Sequence, residues 1–138
     1  MAGARSLIAE HSGATIVEFA IVLPLLICLL LGILGYGQYF LLAHNVQQIA
    51  NDAARATVAG MSVDERKQLA QQSVTDDVHA LGEFSAAKVH PKVAETGDTI
   101  AVDVTLDATD MALFHTAIVP MPDPLIVRRA VIRRGGLT

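Results

Sequence analysis

A long apolar segment near the amino terminus limits most strongly what this chain can fold into. From Phe19 to Tyr39 the sequence carries no ionisable group apart from the thiol of Cys28 and the weakly acidic tyrosine hydroxyls. About 20 apolar helical residues are enough to cross the roughly 30 Å hydrocarbon layer of a membrane. The segment therefore predicts a membrane-spanning helix and leaves the rest of the chain for a domain in water.

A single acid, Glu18, stands at the entrance of this segment. A carboxylate at a membrane edge is costly, so it indicates a functional role with a specific partner. Cleavage after Gly13 would create an ammonium group at Ala14, four residues before Glu18. Four helical residues advance about 6 Å and return to the same face, so the two charges can neutralise each other. The helix dipole also favours an acid in the first turn, but it does not explain the spacing from a glycine.

The sequence Gly13-Ala-Thr-Ile-Val-Glu18-Phe19 resembles the class III signal of type IV pilin-like proteins. In these proteins a prepilin peptidase cuts after a glycine, and a glutamate is the fifth residue of the mature chain. The residues that follow resemble more specifically the TadE/TadG-like minor pilins, or pseudopilins, of the tight-adherence (Tad/Flp) pilus machinery. That resemblance covers Gly13 to Gly60, and it includes Pro24, Gly35-Tyr-Gly-Gln38 and Asn51-Asp-Ala-Ala-Arg55.

The resemblance implies three parts of the chain. Residues 1–13 would be a prepilin-type leader, and residues 14–40 would be a transmembrane helix in the inner membrane. Residues 41–138 would form a periplasmic α+β domain that includes the outer half of the long helix. Arg5 and the terminal amine favour a cytoplasmic amino terminus, in agreement with this placement.

The resemblance also implies roles for particular residues and for other proteins. Cleavage would separate Gly13 from Ala14, Glu18 and Phe19 would serve charge pairing and assembly, and Pro24 would bend the helix. The implied partners are the inner membrane, a prepilin peptidase, another Tad pseudopilin or the major Flp pilin, and the inner-membrane assembly platform. No cofactor or metal is implied.

Composition bounds the outer domain and its partners. The 138 residues are 52% hydrophobic, and removing the membrane helix leaves roughly ninety residues for one small domain. There is no tryptophan and no basic face with interleaved aromatic residues, so no nucleic-acid partner is expected. The basic residues near the end suit phosphates, lipid headgroups, a strand edge or a protein partner: Arg128, Arg129, Arg133 and Arg134.

No group of residues predicts catalysis or metal binding. Four histidines are not grouped at zinc-ligand spacing: His44, His79, His90 and His115. The residue types of a catalytic triad occur within two turns of one predicted helix: Ser73, Asp77 and His79. No glycine elbow or oxyanion loop accompanies them, so a solvated helix face explains them better. Three acids lack the spacing of a calcium loop: Asp103, Asp107 and Asp110. The sequence therefore predicts a structural subunit and not an enzyme.

The long helix is expected to begin near Ala14 and to stop near Ala59, before Gly60. Pro24 would not end it, because prolines are tolerated in membrane helices. One stretch of the helix has little side-chain bulk because it contains Gly32, Gly35 and Gly37. These glycines do not form a strict GxxxG pair, so they give only weak support for a helix dimer. Where the helix is expected to leave the membrane, aromatic residues form an interfacial belt: Tyr36, Tyr39 and Phe40. The helix then carries a single apolar stripe, which predicts packing outside the membrane: Leu42, Val46, Ile49, Ala53 and Ala56.

The remaining sequence predicts one more helix and a small antiparallel sheet. A capping box at Ser62 and Glu65 starts a helix that Gly82 ends, with Asp76 and Asp77 in solvent and an apolar stripe of Leu69, Val74, Val78 and Leu81. Three strand-like segments follow: 86–94, which Pro91 breaks into an edge or irregular strand, 99–107 and 125–132. Residues 111–119 fit either a short helix or a loop over the core.

Three interpretations of function stay open at this point. The favoured interpretation is a minor pilin or pseudopilin. A prepilin peptidase would process it, and it would be needed for the assembly or initiation of a Tad/Flp-type pilus. The second is an uncleaved single-pass anchor that carries a binding module of the cell envelope. The third is a type II secretion pseudopilin, which shares the leader. An ordinary signal peptide is disfavoured because the apolar segment exceeds 7–15 residues.

Overall fold

The fold combines one very long helix with a small helix-and-sheet domain. The computed structural model describes residues 4–82, 85–115 and 118–135. These residues form helices α1 (Ala4–Thr57) and α2 (Val63–Leu81), short 3-10 helices at Ala86–Lys88 and Ala112–His115, and strands β1 (Val89–Thr96), β2 (Thr99–Asp107) and β3 (Leu125–Arg133). The strands form an antiparallel sheet in the order β1-β2-β3. The predicted α+β class is confirmed.

Helix α1 is unbroken over 54 residues, and Pro24 does not end it, as predicted. Its predicted start near Ala14 is wrong, because the helix already begins at Ala4. Residues 4–13 include no proline, and the weak helix formers just before Ala14 lower helix stability without forbidding a helix there. A bend at Pro24 stays a prediction.

The outer end of α1 differs from the prediction in its last turn. The helix ends at Thr57, whose hydroxyl donates to the Ala54 carbonyl at 2.6 Å, and the next three amides make tighter i to i+3 hydrogen bonds. Gly60 was expected to act as the helix stop. Its actual constraint is steric, because an added Cβ would lie 2.5 Å from Cγ of Arg66.

The outer half of α1 and α2 pack on the same face of the sheet, and the core lies between these two layers. The strand predicted over 99–107 is confirmed as β2. Its side chains alternate, and those that point inward are fully buried: Ile100, Val102, Val104 and Leu106. The stripe predicted on α1 is buried except for Ala56, which is half-buried. Small residues beside the stripe widen the packed surface: Ala43, Ala50 and Ala54.

Helix α2 has the predicted ends, but its buried face is turned. Ser62 accepts the amide hydrogen of Glu65, and Gly82 closes the helix with a left-handed φ of 64°. The Glu65 carboxylate accepts from Met61 and not from Ser62, so the capping box is shifted by one residue. The buried positions repeat every four residues, which places Leu69 and Leu81 at the margin: Arg66, Ala70, Val74 and Val78.

The first strand is an edge strand, as one of the two predicted alternatives had it, but its bounds differ from 86–94 and Pro91 does not interrupt it. β1 runs through Pro91 without a break, because β1 is an edge strand and a missing amide hydrogen on its free side costs no ladder bond. A tight hairpin joins β1 to β2, and Gly97 in its turn has a φ of 59°. The strand predicted over 125–132 is confirmed as β3, and its inward residues Ile126 and Ala130 are buried. In the segment 111–119, Ala112–His115 form a short 3-10 helix, Ile118 and Val119 are irregular, and residues 116–117 lie outside the described part of the chain.

Candidate functional site

The residues predicted to matter for processing and assembly lie on the exposed first half of α1. Gly13, Ala14, Glu18 and Phe19 are all exposed in the protein by itself. Within the described ranges no ion pair involves Glu18. Helical geometry places the Ala14 and Glu18 positions on one face, about 6 Å apart along the axis. The site is therefore a strip of helix surface and not a pocket.

Gly13 lies inside α1 in a conformation that does not require glycine. Its φ is not positive, and a Cβ added to it would meet no atom within 4 Å. Glycine inside a helix is less stable than alanine by about 0.5–1 kcal/mol. Neither the backbone nor packing explains this glycine, so a requirement outside the fold is the remaining physical reason for it.

The apolar segment presents its side chains outward all round the helix. From Ile16 to Leu31 every large apolar side chain is more than a third exposed, and Leu25 reaches 74%. Among the residues that the structure describes, α1 is the helix long and apolar enough to span a membrane. Cys28 is exposed with these side chains and does not fill a gap within the protein.

The outer end of the apolar segment is contacted on one side by the irregular segment that precedes β3. The hydroxyl of Tyr36 donates to the carbonyl of Pro120 at 2.8 Å. A Cβ added to Gly32 would lie 3.9 Å from Cγ1 of Val119, and Gly35 is buried. The glycine-containing stretch of α1 therefore contacts a loop of the same chain at Gly32. The sequence had instead given weak support for a contact with a second helix there.

The aromatic belt joins this end of α1 to the domain. The ring of Tyr39 packs edge-to-face on Phe40 at 5.8 Å and on Phe114 at 6.5 Å between ring centres. Phe40 remains exposed, whereas Tyr39 and Phe114 are half-buried against the core. The belt therefore marks the level at which α1 changes from exposed apolar surface to packed core.

An ion pair that sequence reasoning missed ties the outer end of the domain together. Arg66 donates to both carboxylate oxygens of Glu95 at 2.8 and 2.9 Å and to the carbonyl of Gly60 at 2.9 Å. The two side chains are only 6% and 16% exposed. The hydrogen bonds from Arg66 lower the pKa of Glu95 and raise that of Arg66. The signal was present, because Arg66 continues the four-residue repeat of the buried face of α2.

Two of the basic residues near the chain end have partners within the sheet. Arg129 lies opposite Asp103 in the β2–β3 register and donates to it, with Nη2 at 2.7 Å from one oxygen. These hydrogen bonds lower the pKa of Asp103. Arg134 donates to the carbonyl of Gly97 in the hairpin turn at 2.6 Å. Among the alternatives left open, a strand-edge role fits these two residues.

The residues considered for catalysis do not form a working site. Asp77 was expected in solvent, but it is half-buried between α1 and α2, and its Oδ2 has no hydrogen-bond partner among the described residues. Burial and the nearby charges of Asp52 and Asp76 raise its pKa, against a hydrogen bond with Ser73. His79 is exposed. Within the described part of the chain no three His, Cys, Asp or Glu side chains are grouped to hold a metal.

Comparison with known proteins gives a family for the helix. Residues 13–55 match the family model described as TadE-like protein. The match begins at the predicted cleavage glycine and ends within the packed half of α1, so it includes the candidate site but neither α2 nor the sheet. No curated protein and no solved structure matches the chain. The predicted resemblance is confirmed, and it indicates a Tad pilus-associated protein, a class that is in general not enzymatic.

Proposed function

From this TadE-like helix, we propose that the chain is a minor pilin, or pseudopilin, of a Tad/Flp-type pilus. A prepilin peptidase cleaves it between Gly13 and Ala14, and the mature subunit serves assembly or initiation of the pilus. The observation that carries the proposal is the unexplained glycine at position 13, because open space surrounds it. The family match, which starts at the same residue, supports it.

The mature amino terminus would give Glu18 a charged partner, which the described residues do not provide. Glu18 stands before a long apolar surface, where an unpaired carboxylate is costly. The Ala14 ammonium, on the same face of α1, neutralises it within one subunit or from a neighbouring one. Phe19, exposed beside it, adds apolar surface for packing between helices. This pairing would set the register between helices during assembly.

The proposed division of the chain follows the change in burial along α1. Residues 1–13 form a cytoplasmic leader, residues 14–40 cross the inner membrane, and residues 41–138 form the periplasmic domain. In support, Phe40 and Leu41 are exposed, whereas the packed core begins at Leu42. The proposed partners are the prepilin peptidase, another Tad pseudopilin or the major Flp pilin, and the assembly platform, each of which meets the apolar helix surface.

An uncleaved membrane anchor is the second candidate, and one observation favours it. α1 is continuous from Ala4 through the proposed cleavage site, so the leader is not set apart by a helix end. A peptidase would have to open this helix locally, which the glycine at 13 makes easier. In the anchor, the domain would recruit an envelope partner while the leader stays attached.

The mass of the protein purified from membranes of its host tests the proposal. We expect the loss of residues 1–13 when the prepilin peptidase is present and a full-length chain when its gene is deleted. Gly13→Val should prevent cleavage, whereas Gly37→Val, which also adds its Cβ to open space on α1, should not. A full-length mass with the peptidase present would instead identify the uncleaved anchor.

A further inference from the structure

The segment Ile118–Pro124, here called the proline loop, lies against α1 below the level of the domain core. Its residue Val119 approaches Gly32, and its Pro120 carbonyl accepts from Tyr36. The core on α1 begins only at Leu42, ten residues further along the helix. Ten helical residues correspond to about 15 Å, so the loop descends that far beside the apolar segment.

The composition of the proline loop suits an apolar environment. From Ile118 to Pro122 it carries no ionisable group. Irregular backbone normally stays in water because its polar groups need partners. In this loop Pro120, Pro122 and Pro124 have no amide hydrogen. The carbonyl of Pro120 accepts from the hydroxyl of Tyr36, and the carbonyl of Pro124 accepts from the amide of Ala108. The cost of removing this backbone from water is correspondingly reduced.

One large apolar side chain of the proline loop is left uncovered. Ile118 is 63% exposed. A single exposed isoleucine on a loop in water would need no explanation. Ile118, however, lies next to the part of α1 where Ile33 and Leu34 are exposed to a similar extent. Any apolar surroundings that cover these helix residues would therefore also reach Ile118.

We propose that the proline loop inserts into the outer membrane–water interface, with Ile118 in contact with lipid. This inference rests on the proposed placement of residues 14–40 in the membrane. Lipid is the occupant because residues 118–122 continue the apolar surface of α1 without any charge. The one ionisable residue of the loop, Asp123, lies at its domain end, where its carboxylate accepts from the amide of Leu125. Tyr36 lies where an interfacial tyrosine is expected, with its hydroxyl holding the loop and its ring against the apolar layer.

The depth of residue 118 can be measured directly. The full-length chain with Cys28→Ser and Ile118→Cys would carry one nitroxide label and be reconstituted in phosphatidylcholine–phosphatidylglycerol vesicles. Collision rates with oxygen, which partitions into lipid, and with a water-soluble nickel chelate would be compared. Leu25→Cys, in the apolar segment, and Met61→Cys, which is 91% exposed beyond the end of α1, provide the lipid and water references.

We expect the oxygen-to-nickel ratio at position 118 to exceed that at position 61 several-fold. In the same background, Tyr36→Phe should release the loop and reduce this ratio, while circular dichroism stays unchanged. A ratio at 118 equal to that at 61, with position 25 protected from nickel, would overturn the inference and leave the membrane placement intact. Nickel access at position 25 would overturn the placement and the inference together.

Discussion

The two halves of α1 have the same backbone and opposite surroundings. Between Ile16 and Leu31 the large apolar side chains point outward in all directions, and the structure leaves them exposed. From Leu42 to Thr57 the apolar residues form a stripe that is buried against the sheet and α2. A helix that is apolar all round needs an apolar solvent, whereas a striped helix needs a domain. The comparison shows that the pattern of side chains, and not helix formation, separates the exposed apolar half from the packed half.

Side-chain size adds to this difference. The packed half uses small residues next to its larger ones, which lets the sheet and α2 approach the helix closely: Ala43, Ala50, Ala53 and Ala54. The exposed half is dominated by leucine and isoleucine, which present a wide apolar surface. We therefore expect equivalent truncations in the two halves to have very different effects on the domain.

The largest effect should come from truncating an isoleucine in the packed half. Ile49→Ala removes a fully buried side chain, and we expect it to lower the free energy of unfolding by about 2–5 kcal/mol. Ile33→Ala, in the exposed half, should change it by less than about 0.5 kcal/mol. Chemical unfolding in detergent, followed by the circular dichroism of the domain, measures both. Equal losses would break the distinction between the halves.

A smaller effect should follow from cutting the tie at the outer end of the packed half. Arg66→Met leaves Glu95 without its bidentate partner in a nearly buried site, and we expect the thermal midpoint to fall by about 10 °C. Arg129→Met, which removes a more exposed ion pair, serves as the control and should lower it much less. If the two variants melt together, burial of the Arg66 pair adds nothing.

Acid should separate the two halves, because the paired carboxylates belong to the domain. The pKa values of Glu95 and Asp103 are lowered in the folded state by Arg66 and Arg129. Their stabilisation is therefore present above the unfolded pKa values, 4.5 and 3.8, and is lost as the pH falls through the folded ones. A pH titration should show the domain melting at lower temperature below about pH 4.5, while helicity of the apolar half persists in detergent.

The smallest effect, and one of opposite sign, should come from Asp77. Its pKa is raised, so its contribution to stability is present below the unfolded pKa of 3.8 and is lost as the pH rises through the folded pKa. Asp77→Asn should therefore stabilise the domain at neutral pH, by on the order of 0.5 kcal/mol. Asp76→Asn removes only one of the neighbouring charges that raise this pKa, so it should stabilise the domain less than Asp77→Asn does. A loss of stability in Asp77→Asn would show that its hydrogen bond with Ser73 dominates.

Periodic segments were predictable from sequence, because burial on one face leaves a repeat that can be counted. The strands β2 and β3 and the stripe on α1 were obtained in this way. The turned face of α2 was not, because its first buried position is Arg66, and a charge does not enter an apolar stripe. The start of α1 was missed for another reason: it was placed at the proposed cleavage site, and a site that an enzyme would recognise need not coincide with a helix end.

The candidate site shows the same division between what sequence does and does not determine. The motif around Gly13 and Glu18 is continuous in the chain, so it was recognised from spacing, and the family match agrees over residues 13–55. The docking of the proline loop on Gly32 joins residues 87 positions apart. An aperiodic loop carries no repeat that indicates its contact, so only the structure located it.

The absence of a break in α1 has a mechanical consequence. A helix that continues from the apolar segment into the domain acts as a rigid lever, so an inclination of one half is passed to the other. From Gly32 to Thr57 the lever arm measures about 37 Å. A 20° inclination, which is ordinary for a membrane helix, would swing its outer end sideways by about 13 Å. Small changes of angle in the bilayer would thus become large changes in where the domain meets its neighbours.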